Sequence, residues 1–346
     1  MKKSLVALAV LAASGAAMAQ SSVTLFGVVD AGYSVGNGSV SNSTAMRTDR
    51  IGSSRLGFRG VEDLGGGMRA EFWLEAGVAN DSGAGSATNS NNQAVTGLTS
   101  AGTQGLTFNR KSTVGLVGAM GEIRLGRDYS PQFYPDAQYD PFGTNGVASS
   151  LIAYGGGNAA VRASNMFAYH SPNVGGFTVM LGSYMGENNT GGAAGKAGDG
   201  NGIHVRYAKG PLALGIASST TKTGLTTEVK TSTMGGSYNM GVATVTFNSN
   251  TVSNTGAVDL EGMMIGAMIP MAGGTLKFSN ASLKQGAAET KRNAVGFVKP
   301  LSKRTSLFAT YARNGNSGGA NRALNGAVTA ANASSTGYDL GVNHTF

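Results

Sequence analysis

Three histidines, His170, His204 and His344, and no cysteine limit the bond chemistry open to this 346-residue chain. Hydrolysis by acid and base needs a His near Ser or Asp. His204 stands alone in IHVR, His170 adjoins a turn signal, and His344 shares parity with apolar neighbours. No Gly-x-Ser-x-Gly elbow stands out in strand–turn–helix context. Scattered histidines without cysteine predict no metal site and no cofactor. Residues 191–196 are not a phosphate loop, because Thr190 stands where the first Gly is needed and Ala197 replaces the hydroxyl residue. Charge on every second residue is what recurs. Arg55 and Arg59 oppose Leu56 and Phe58, and Arg69, Glu71 and Glu75 oppose Ala70, Phe72, Leu74 and Ala76. Trp73 falls on the charged face of that second segment.

Such rows require extended strands, where successive side chains point to opposite faces. Composition agrees. Charged residues are 13% of the chain and glycines number 55, against about 25% and about 7% in ordinary soluble proteins. That much Gly argues against helices. The first 19 residues show a basic start, a short apolar run and Ala17-Met18-Ala19, the pattern of a secretory signal peptide. The expected mature chain runs from 20 to 346 as a single domain. It keeps 24 of the 26 basic residues against 18 acids, a net charge of +6. No run of Lys and Arg marks a nucleic-acid site. No later apolar stretch is long enough for a membrane-spanning helix. An exported chain of this kind has a closed barrel as its other way across a membrane. Its polar face then lines water, which removes the cost of burying unpaired charge in a core.

Turn signals set the strand count. Short ones fall at 62–67, 118–121, 172–176, 209–211, 239–241, 271–274 and 301–304. Longer polar stretches fall near 36–50, 80–104, 129–160, 187–199, 219–227, 252–258, 284–289 and 315–335. Short and long connections alternate, which predicts an all-β antiparallel barrel of about 16 strands with short turns on the periplasmic side and long loops outside.

The order and spacing of several segments carry a family resemblance. They are SVTLFGVVD at 22–30, SRLGFRG at 54–60, EDLGGG at 62–67 and FWLE at 72–75. Further along come GEIRLGR at 121–127, SPNVGGF at 171–177, LSKRT at 301–305 and the final Phe346. The chain resembles the trimeric general porins of the neisserial and β-proteobacterial type. That resemblance implies a 16-stranded homotrimer whose third long loop folds into each pore, surrounded by outer-membrane lipids and lipopolysaccharide. Phe346 then resembles the signal read by the barrel-assembly machinery.

The resemblance also implies an arginine cluster on the wall opposite the third loop, mapping onto Arg55, Arg110 and Arg162. Alternation supports Arg55 and Arg162 independently. Arg110 shares parity with Val114 and Leu116, whereas Lys111 has the opposite parity. Asp136 and Asp140 in the third loop are the acids expected across from the arginines, with Arg59, Lys111 and Arg124 as secondary lumen charges. The expected function is passive diffusion of small anions and polar solutes, with weak to moderate anion preference. An adhesin or structural barrel would use the same long loops. A solute-specific channel would use an aromatic track, for which Tyr129, Phe133, Tyr134, Tyr139 and Phe142 are candidates; packing of the folded loop on the wall accounts for the same residues.

Overall fold

In the computed structural model, which describes residues 22–86, 88, 92, 105–150, 161–188 and 195–346, burial along the strands is inverted relative to a soluble protein. Within Thr305–Ser317, Leu307, Ala309 and Tyr311 are exposed, while Thr310, Asn314 and Asn316 are buried. Within Thr244–Asn254, Val245 and Phe247 are exposed and Thr246, Asn248 and Asn250 buried. An apolar exterior around a polar interior suits lipid outside and water inside.

The strands follow one another along the chain. They begin with β1 (Ser22–Asn37), β2 (Ser43–Thr48), β3 (Arg55–Gly65), β4 (Met68–Ala79) and β5 (Ala84–Gly85). After β6 (Lys111–Gly118) and β7 (Gly121–Tyr129) comes a short helix, α1 (Phe133–Tyr139). Then follow β8 (Arg162–His170), β9 (Phe177–Tyr184), β10 (Gly200–Lys209) and β11 (Leu212–Lys222). Next are β12 (Glu228–Asn239), β13 (Thr244–Asn254), β14 (Leu260–Met271) and β15 (Gly274–Gln285). The last three are β16 (Ala288–Pro300), β17 (Thr305–Ser317) and β18 (Ser335–Thr345).

Sixteen of these 18 strands build the wall, each antiparallel to its neighbours. The other two are extensions. β2 continues the line of β3 along the far half of β1, and β5 folds back on the end of β4. Pairing of β1 with β18, from Val28↔Thr345 to Asn37↔Thr336, closes the ring. Closure leaves no strand edge to satisfy in lipid. No described helix is long and apolar enough to cross a membrane. The expected signal segment, 1–19, lies outside the described residues.

One side of the barrel has tight turns. Gly65, Gly66 and Gly67 all have positive φ (79°, 61° and 78°), which a side chain would strain. The other side carries the longer connections, with one correction. The expected long stretch at 284–289 is only a two-residue turn, since β15 and β16 stay paired up to Gln285↔Ala288. Its polarity comes from Lys284 and Glu289, which face each other across the ladder at 3.8 Å.

The third long loop lies inside the barrel, and glycines make room for it. Tyr139 packs against Gly215 of β11 and Gly235 of β12, Pro141 against Gly266 of β14, Phe142 against Gly296 of β16, and Val147 against Gly337 of β18. A Cβ at Gly235 would stand 2.5 Å from the Tyr139 ring, and one at Gly296 2.8 Å from Phe142. Five of the 55 glycines thus form a shallow track along the inner wall. Tyr139 and Phe142 are buried in that packing, and Phe133 is buried against the Tyr129 ring. Of the candidate aromatic track, Tyr139 and Phe142 serve the wall contact.

Candidate pore constriction

Loop 3 drapes over β11 to β18, so the opposite wall, β3 to β8, faces the opening. Arg55 starts β3, and the break before it is built by Asp30. This fully buried carboxylate accepts the backbone N–H of Arg50 (2.5 Å), Ile51 (3.1 Å) and Gly52 (3.0 Å) and the Asn343 amide (2.9 Å). Arg55 Nε then donates to Ser53 O at 2.9 Å, which fixes the guanidinium.

Arg55 and Arg110 meet on one acid. Glu75 Oε1 accepts from Arg55 Nη1 at 3.3 Å and from Arg110 Nε at 2.6 Å, and Glu75 Oε2 accepts from Trp73 Nε1 at 3.1 Å. Charge-assisted bonds of this kind are the stronger class, about 1.5–3 kcal/mol each. The parity question at Arg110 has a structural answer. β6 begins at Lys111, so Arg110 lies just outside the regular ladder and its side chain turns back to Glu75. Lys111 also faces inward, bonded to Asp128 at 3.0 Å.

Arg162 stands close enough to Arg110 and Glu75 to interact electrostatically with both. Its guanidinium lies 4.7 Å from the centre of the Tyr129 ring and donates to the Tyr129 hydroxyl at 3.3 Å. The three mapped arginines thus sit on one wall with, among the described residues, a single carboxylate as hydrogen-bond partner. Arg127 adds a fourth cation within electrostatic reach of Arg162 and donates to Ser164 Oγ at 2.9 Å. It reaches there through a bulge between Gly126 and Asp128, which breaks the alternation.

The two expected loop acids are placed differently from the expectation. Asp136 is buried on α1 and lies against Asn248 and Asn250 of β13, on the far side of the loop from the arginines. Loss of solvent pushes its carboxyl well above the usual range; the nearby Asn248 amide opposes this, Asp140 adds to it, and the Asn250 amide opposes it. Asp140 is spent on the loop itself. It accepts from Phe142 N (2.8 Å), Thr144 N (2.8 Å), Ser150 N (3.0 Å) and Ser150 Oγ (2.7 Å). A loop packed into a wall must satisfy its own turned backbone, and an Asp side chain does so locally.

Among the secondary charges, Arg124 is clamped by Glu122 at 2.7 Å and Asp128 at 2.6 Å. Arg59 rests on aromatic rings instead. Phe346 closes the seam: its N–H and C=O exchange 3.1 Å bonds with Gly27, and its ring covers that glycine. Sequence reasoning missed Glu75 as the link between arginines. Its inward parity was visible, but Arg110 comes from 35 residues further along.

Comparison with known proteins follows the same lines. The description of the Gram-negative porin family matches residues 4–319. Outer membrane porin protein 32 of Delftia acidovorans is 38% identical over 373 aligned positions, covering 100% of both chains. Major outer membrane protein P.IB of Neisseria meningitidis serogroup B is 32% identical over 163 residues, 43% of this chain and 42% of that one. Among solved structures, the anion-selective porin from Comamonas acidovorans superposes with a TM-score of 0.82 at 32% identity, covering 94% of this chain and 100% of the other.

Proposed function

The chain belongs to the Gram-negative porin family, and we propose that it passes small anions in preference to small cations through a pore narrowed by Arg55, Arg110 and Arg162. As a porin it is a passive diffusion channel for small hydrophilic solutes and ions in the bacterial outer membrane, crossing the bilayer with its strands.

The observation that carries the preference is the placement of acids. Asp136 and Asp140 are turned into the loop and wall, so Glu75 is the acid left among the arginines. Fixed cations without matching anions raise the local concentration of negative ions. Similarity to a porin described as anion-selective supports the same reading.

The reading assigns passage and no bond chemistry. The homotrimer, a leader cleaved after Ala19, a coat of outer-membrane lipid and lipopolysaccharide, and Phe346 as the feature met by the barrel-assembly machinery are the family expectations we carry with it. Planar-bilayer recording under a salt gradient is the test. Conductance steps in threes with a reversal potential toward that of chloride are expected. A reversal potential on the cation side from folded, inserted protein would overturn the anion preference.

A further inference from the structure

We propose that Arg59, laid across the rings of Phe26 and Trp73, is a discrete binding station for small carboxylates on the short-turn side of the arginine cluster. The proposal deepens the reading above and rests on it, because the station belongs to the same lumen-facing wall.

Arg162, Lys111 and Lys277 also lie over single rings but are half-buried, whereas Arg59 is exposed and lies over two. Its Cζ lies 5.4 Å from the Phe26 ring centre and 5.3 Å from that of Trp73, and the two rings meet edge to face at 5.0 Å. Lys111 Nζ lies 4.9 Å from the Trp73 ring. Stacking on a ring uses the face of a guanidinium and leaves its in-plane N–H groups free, the edge that matches a carboxylate in a two-pronged contact.

Most neighbouring cations are held by acids, and Arg162, which among the described residues has none in ion-pair contact, is half-buried with its guanidinium on the Tyr129 hydroxyl. Arg55 and Arg110 share Glu75, while Lys111 and Arg124 share Asp128. Glu71, the next acid along the inward face of β4, is taken by Arg69 at 2.5 Å. Among the described residues Arg59 has no ion-pair partner, and it is solvent-exposed. Aromatic faces therefore hold its position without cancelling its charge.

Register gives the station its place. Arg59 faces Thr24 on β1 and Trp73 on β4, four residues along β3 from Arg55 toward the Gly65–Gly67 turn. Four residues of strand span roughly 13 Å. An anion leaving the arginine cluster meets Arg59 next, and successive sites of moderate strength favour throughput over capture.

Trp73 is the chain's single tryptophan, so its fluorescence reports on this station. The experiment titrates folded protein in detergent with iodide as an anionic quencher, with and without sodium acetate, and with acrylamide as a neutral quencher. The station predicts that acetate protects Trp73 from iodide but not from acrylamide. Arg59→Gln should lower iodide quenching about two- to fivefold and abolish acetate protection, since an exposed charge contact is worth a modest amount. Arg59→Lys should keep part of the iodide quenching and lose most of the acetate protection. An unchanged emission maximum verifies that the Trp73 pocket survives each variant.

Acetate protection that persists in Arg59→Gln, or that falls equally in Lys111→Gln, would overturn the station. Binding is read here without conduction. Intact acetate protection alongside a cation-side reversal potential would therefore sink the anion-pore reading and leave the station standing.

Discussion

The Val147 N–H donates to Asp339 Oδ2 at 2.8 Å, joining the far end of loop 3 to the last strand of the barrel. Asp339 also accepts from Ser34 Oγ at 2.6 Å and the Asn325 amide at 2.8 Å, with Arg50 at 3.7 Å. One buried carboxylate therefore ties the inward loop, the first strand and the last outer loop together. Asp339→Ala should free the loop end and leave its former donors unpaired, at about 1–3 kcal/mol per buried group. Single-channel traces should then show more current noise and brief closures, with a lower melting temperature. Quiet wild-type-like traces would mean that the glycine track alone holds the loop.

Glu75 governs how much of the arginine charge reaches a passing ion. Removing its charge in Glu75→Gln leaves Arg55 and Arg110 uncancelled and should raise the anion-to-cation permeability ratio. A charge at about 10 Å in a partly watery site is worth about 1 kcal/mol or less, so the ratio should change up to about fivefold. By the same logic Arg162→Gln, which removes a cation stacked on Tyr129, should cost more anion preference than Arg55→Gln. Reversal potentials of the three variants in one salt gradient check the order. A fall in anion preference in Glu75→Gln would show that the acid holds the arginines in place more than it cancels them.

The glycine track makes a steric prediction. Gly235→Leu would put a branched side chain where the Tyr139 ring lies, 2.5 Å from the first added carbon. Overpacking of this kind commonly costs about 1–3 kcal/mol, and here the loop is the part able to move. Conductance should change by a readily measured fraction while the barrel still forms. Unaltered conductance in Gly235→Leu would mean that Tyr139 swings aside without carrying the loop.

How much of this was legible beforehand follows from which signals are local. Alternation in β3 and β18 is a property of neighbouring residues, so Arg55, Arg59 and the face ending in Phe346 were readable one strand at a time. The count of turns gave the barrel, with 284–289 misread because polar strand above the lipid looks like loop. The loop acids failed for another reason. Asp136 and Asp140 occur in the right segment, but their direction depends on how the segment lies against β13 and on its own turns. Glu75 with Arg110, and Gly235 with Tyr139, are pairings between distant segments that periodicity does not encode. Gly126 hides the bulge that redirects Arg127, since a Gly in a strand also reads as a plain strand residue.

Asp136 supplies a pH test with a definite sign. Burial raises its carboxyl in the folded protein above its value in the unfolded chain. The folded state therefore prefers the protonated form. That preference is fully present below the unfolded carboxylate range of about 4 and is lost as pH rises through the raised value. Docking of α1 on β13 should weaken over that window, because a charged carboxylate beside Asn248 and Asn250 is costly to bury. Asp136→Asn keeps the shape and removes the titration. Relative to wild type, the variant should gain melting temperature at pH 8 and gain little or nothing at pH 4. Channel noise that grows with pH in wild type should flatten in the variant. A variant less stable than wild type at pH 8 would mean that Asp136 is held as the anion, with the two asparagines as its donors.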